Sequence, residues 1–159
     1  MHCLVLAACL VLPGPAAAQS QSALVDSYGR VIGLLDFMTS YVGEFLLACA
    51  ERNFLSEAQT EARFQAYRER NAALLERADA WRQEAEKRLL AQGEGRAAQE
   101  RAESAGMSAT SVALARVKLE IDKAGDVRAL CGARLEGFES GRYDLSVNAD
   151  FVGLVKENP

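Results

Sequence analysis

The chain has 159 residues, 22 acidic side chains against 18 Lys and Arg, and a formal net charge of −4. That length supplies one domain with room for a real core. The mild acidity argues against a nucleic-acid partner, because holding phosphates needs a basic surface, and no run of like charge is long enough to make an interaction tail.

The first twenty residues, MHCLVLAACLVLPGPAAAQS, are a segment of their own. Leu4 to Leu12 form an apolar run, Pro13-Gly14-Pro15 interrupt any helix, and Ala16 and Ala18 place small side chains just before Gln19. This is the pattern of a secretory signal over residues 1–18, cleaved before Gln19 from an extended chain. The usual Lys or Arg of the leading region is missing, which leaves the translation start open. Leu6-Ala7-Ala8-Cys9 also has the form of a bacterial lipoprotein signal. Only eight residues precede Cys9, however, and the apolar run continues beyond it. Periplasmic or secreted export is therefore the expectation, with membrane attachment only through lipid on Cys9. Export removes Cys3, Cys9 and His2, the only histidine, and leaves Cys49 and Cys131.

No proline occurs between Gln19 and Asn158. Long proline-free stretches rich in Ala, Arg and Glu favour helix, and hairpin signals are absent. The first helix covers Ser22 to Arg52. Leu24, Tyr28, Val31, Leu35, Met38, Val42, Phe45 and Cys49 alternate by four and three, a heptad seam. Val31 to Cys49 carries only Asp36 and Glu44 as charges. Two carboxylates at mid-span would cost several kcal/mol in a bilayer, so the segment reads as a core helix.

The second helix opens with Ser56-Glu57-Ala58-Gln59, a capping box. Its seam of Phe64, Tyr67, Asn71, Leu74, Ala78, Trp81 and Ala85 runs to at least Leu90. Residues 94–106 are polar and fit either a helical extension or a connector. The third helix starts near Ser108, with Leu114, Val117, Ile121, Ala124, Arg128, Cys131, Leu135 and Phe138 on its seam. The register survives Gly125, so one helix to about Ser140 is expected. Gly125 costs about 1 kcal/mol of helix stability, which makes a bend or split there the alternative. Residues 141–159 form a short tail whose apolar Phe151–Val155 docks on the bundle or meets a partner.

The fold class read from this pattern is all-α, an antiparallel up-down-up bundle of three long helices over residues 19–159. The first and third helices are then parallel, and Cys49 and Cys131 fall toward the same end. Two cysteines so placed in an exported chain predict a disulfide. Without C-x-x-C or a mature histidine, a catalytic thiol has no support.

Asn71 and Arg128 interrupt apolar seams. Asn71 reads as a register-setting polar residue with Thr39 or Ser40 beside it, or else as a ligand contact. Arg128 reads as a side chain reaching the surface, as a partner for Asp36 or Glu44, or else as an anion-binding contact. Gly29, Gly33, Asp36, Ser40 and Gly43 make a narrow small-residue face that permits close helix approach, and a homodimer through it is a further expectation. Trp81 and Tyr67, at seam spacing, read as core.

The lack of mature histidine excludes Ser-His and Cys-His catalysis and histidine-bearing zinc sites. No catalytic residue, metal or other cofactor is expected. The function expected is a non-enzymatic binding or accessory protein, of inhibitor, immunity or envelope-assembly type, whose partner is another protein. The alternatives are an envelope enzyme working on cell-wall glycan with Glu or Asp, and a lipid-anchored structural protein.

Overall fold

The computed structural model describes the backbone from Pro15 to Glu157 and the side chains from Ala23 to Glu157. Cys3, Cys9, His2 and most of the predicted signal segment lie outside the described residues. All regular structure among the described residues is helical: α1 (Pro15–Ala50), α2 (Glu57–Arg70), α3 (Ala72–Ala91), α4 (Gly95–Lys123), α5 (Val127–Glu139) and α6 (Ala149–Lys156), with a 3₁₀ turn at Leu145–Val147 before α6. Pro15 begins α1 rather than ending a helix. A proline at the first helical position loses no needed N–H, and the three alanines after it are strong helix formers.

Six α-helices replace the three long ones expected, and they run as four limbs. α1 ascends; α2 and α3 descend; α4 ascends beside α1; α5 and α6 descend. α1 touches every other helix. The predicted capping box is present: Gln59 N–H donates to Ser56 Oγ at 3.2 Å, and Ser56 N–H donates to Gln59 Oε1 at 2.8 Å. The second limb breaks for one residue only, at Asn71, with φ −96° and ψ 2°. Of residues 94–106, all but the N-cap Glu94 are helix, since α4 begins at Gly95, thirteen residues before the expected start at Ser108.

At Gly125 the split given as the alternative replaces the single favoured helix. The third helix does not continue to Ser140; Ala124 turns extended (ψ 124°), and Asp126 caps a new helix by accepting the Ala129 N–H at 3.0 Å. The heptad register misled because α4 and α5 each bury a stripe of their own, and the short link keeps the two in phase. Cys49 and Cys131 are joined, with Cα atoms 6.0 Å apart. They meet because α5 folds back beside the top of α1, not because one long helix runs parallel to α1.

The core is in two parts. Near the disulfide, Tyr41, Val42, Phe45, Leu46, Tyr67, Val117, Ile121 and Phe138 are buried together. At the other end, Tyr28, Val31, Trp81, Ala85, Leu89, Leu145, Phe151 and Val155 form the second cluster. Leu145, Phe151 and Val155 seat the apolar tail in that second cluster, whereas Tyr143 packs against the first. Ala23–Ala50 of α1 is long and apolar enough to cross a membrane by composition, yet its buried stripe is the surface that the other helices pack against. The apolar N-terminal helix is compatible with a signal sequence, and the disulfide fits an exported protein.

Candidate functional site

The small-residue face of α1 is used within the chain. Gly29 lies under Arg101, Gly33 meets Ala105, and Asp36 lies against Gly106. Ser40 Oγ and Thr110 Oγ1 are 3.5 Å apart, while Gly43 faces the Phe64 ring of α2. A β-carbon on Gly29 would fall 2.7 Å from Arg101 Cγ, which is why α1 and α4 approach so closely there. A homodimer through this face would have to displace α4. Burial raises the Asp36 carboxyl above the ordinary aspartate range, with Arg82 opposing.

Asn71 is buried and fully engaged. Its Nδ2 donates to the Tyr67 carbonyl at 2.7 Å and to Asp144 Oδ1 at 3.3 Å, and its Oδ1 accepts the Leu145 N–H at 2.7 Å. Arg70 donates to both Asp144 oxygens, at 3.3 and 3.2 Å, and to the Phe138 carbonyl. Neither Thr39 nor Ser40 is its partner: Thr39 Oγ1 donates back to the Leu35 carbonyl at 2.8 Å. The fourth limb occupies the position where α1 hydroxyls were expected. Asn71 thus ties the break between α2 and α3 to the turn before α6, a structural use of its amide.

Arg128 is exposed on α5, with its guanidinium 4.6 Å from the centre of the Phe54 ring. It forms no ion pair with Asp36 or Glu44 among the described residues. Once α4 ends at Lys123, Arg128 no longer shares a helix face with α4 and points toward the α1–α2 connection instead. Trp81 and Tyr67 are buried, and neither Trp81 Nε1 nor Tyr67 Oη has a partner among the described residues. Burial and the Asp144 charge push the Tyr67 phenol well above its ordinary range.

The densest polar cluster involves residues that periodicity does not single out. Glu120 on α4 accepts from Tyr41 Oη at 3.2 and 3.0 Å, from Arg116 Nε at 3.1 Å, and from Arg134 Nε and Nη2 at 3.1 and 2.7 Å. Arg134 also donates to Tyr143 Oη. Burial alone would raise the Glu120 carboxyl, but the hydrogen bonds from Arg134, Arg116 and Tyr41 outweigh it and hold it below the glutamate range. Burial pushes the Tyr41 phenol well up. Both oxygens of this carboxylate accept from protein donors, so the cluster clamps α1, α4 and α5.

The remaining candidate is a surface. From Ser104 to Ala115, α4 carries no charge. Met107 is 69% exposed and Leu114 52%, with Val112 and Leu119 similarly open. Beside Leu114, a groove of about 330 Å³ runs between α1 and α4, lined by Leu47, Ala48, Val117 and Ile121 and rimmed by Glu44, Glu51, Arg52, Lys118 and Asp122. Leu47 is exposed across it. No group of three or more metal-ligating side chains occurs among the described residues. Compared with protein-family models, curated proteins and solved structures, the chain matches none.

Proposed function

We propose that this is an exported, non-enzymatic binding module whose outer α4 face meets another polypeptide. The observation that carries this reading is the exposure of Met107, Val112, Leu114 and Leu119 on one helix, around a twelve-residue stretch without charge. Open apolar side chains cost solubility; Met107 and Leu114 share one flank of α4 and Val112 and Leu119 the other, so apolar side chains spread over its outer half, the pattern of an interaction site. The disulfide and the apolar leader support export, with the mature chain starting at Gln19.

A photo-reactive residue at Ala115, in the middle of the exposed α4 face, tests the binding reading in the cells that make the protein. An adduct with a polypeptide is expected at Ala115 and not at Arg77, which is exposed on α3. No adduct at Ala115 overturns the reading. The N-terminal mass of the same material checks export: any start other than Gln19 removes that part.

A further inference from the structure

We infer that the partner on the α4 face is a second copy of this chain, paired antiparallel about a point between Thr110 and Ser111. The inference rests on the binding reading above and names its partner. Glu103, Met107, the adjacent pair Thr110 and Ser111, Leu114 and Lys118 follow one flank of α4, each step outward from the pair being three and then four residues, and all are exposed. Read backwards, the row has the same form: an outer charge, a large apolar residue, two small hydroxyls, a large apolar residue, an outer charge. A two-fold axis at its centre therefore lays Met107 on Leu114 of the second copy, and Leu114 on its Met107. Ser111 and Thr110 flank the axis, Thr110 with its hydroxyl turned to Ser40 of its own chain, and these small side chains let two helices come close.

The charges choose the direction. Antiparallel pairing sets Glu103 opposite Lys118 of the second copy, twice by symmetry. Parallel pairing would set Glu103 against Glu103 and Lys118 against Lys118, and like charges directly opposed are unfavourable. The neighbouring charges on α4 are already occupied at home: Arg96 with Glu100 at 2.8 Å, Arg101 with Asp26 at 3.5 Å, and Arg116 with Glu120 at 3.1 Å. Glu103 takes only a hydrogen bond from Gln99, and Lys118 has no ion pair among the described residues. Leu47, across the groove from Leu114, adds apolar surface for the incoming helix.

Sedimentation velocity on the full mature chain, over a concentration series, tests this. A dimer is expected for the wild type. Met107→Glu should weaken it roughly hundredfold and Glu103→Lys on the order of tenfold. The double variant Glu103→Lys with Lys118→Glu should restore the dimer, because exchanging the charges preserves the pairing. These side chains are exposed, so helix content by circular dichroism should not change. A wild-type monomer at tens of micromolar (about the range of a specific weak dimer) overturns the inference. So does a dimer indifferent to Met107→Glu, or a charge swap that fails to restore association. A monomer that still gives an Ala115 adduct with a different polypeptide defeats the second copy and leaves the binding reading standing; no adduct of any kind defeats both.

Discussion

Asn71 Oδ1 accepts the backbone N–H of Leu145 at 2.7 Å, across seventy-four residues of chain. That bond joins the break in the second limb to the turn that leads into α6. Asn71→Ala would leave the buried Leu145 N–H without an acceptor and release one contact to Asp144. A loss of about 2–4 kcal/mol is expected, since unsatisfied buried groups cost about 1–3 kcal/mol each. Asn71→Asp keeps an acceptor but sets a second carboxylate beside Asp144, so it should also destabilise, and less so at acidic pH. Urea unfolding of both variants at pH 7 and pH 4 checks the order and the pH trend.

Glu120 gives the fold an acid limit. Its folded-state pKa is depressed, so the carboxylate contributes stability above the unfolded value of about 4.5 and loses it as pH falls through the lower folded value. Glu120→Gln should cost about 1–2 kcal/mol at pH 7, because Arg134 and Arg116 lose their charged acceptor. The gap between wild type and variant should shrink below pH 4.5. Unfolding free energies measured from pH 7 down to pH 3 decide it; a constant gap would mean that the charge contributes nothing.

Removing the disulfide by Cys49→Ala with Cys131→Ala opens a loop of 82 residues. Chain entropy sets a loss of about 4.5 kcal/mol, with measured cases commonly at about 2–4. The unfolded chain also expands, so the urea m-value should rise as the midpoint falls. A lower midpoint with an unchanged m-value would place the effect in the folded core instead.

Gly137 leaves space for the Tyr143 ring. A β-carbon there would fall 2.6 Å from Tyr143 Cε2, and the ring cannot retreat easily, since it packs against Tyr41 and Phe138 with centroids 5.9 and 5.0 Å away. Alanine gains about 1 kcal/mol of helix propensity over glycine, but overpacking costs about 1–3. Gly137→Ala should therefore be neutral to destabilising by about 2 kcal/mol, with loss of near-ultraviolet tyrosine signal. Gly132→Ala, on the same helix and open on all sides, should stabilise instead.

The heptad seams located the helical material and the two thiols, because burial of a stripe is a local property of sequence. They did not decide between one helix and the split at Gly125, since a seam does not say against what its residues pack, and they placed Leu114, which is exposed, among the core positions. The small residues of α1 announced a close neighbour, and the chain itself supplies it as α4. The start of α4 was obscure because Ala98 and Ala102 bury small side chains that leave little hydrophobic signal. Glu120 and Arg134, fourteen residues apart, meet only because the chain turns between them. Charged residues on two separate helices carry no periodic mark of their pairing.

The last limb supplies Phe138 to one core cluster and Leu145, Phe151 and Val155 to the other. A polypeptide emerging from a ribosome or a translocation pore delivers those side chains after α1 to α4. Until they arrive, each cluster lacks side chains that complete it, and Cys49 lacks its partner Cys131. Cooperative closure of both clusters must therefore wait for residues 127–156, and oxidation of the cysteine pair becomes a timestamp for the moment when that limb seats.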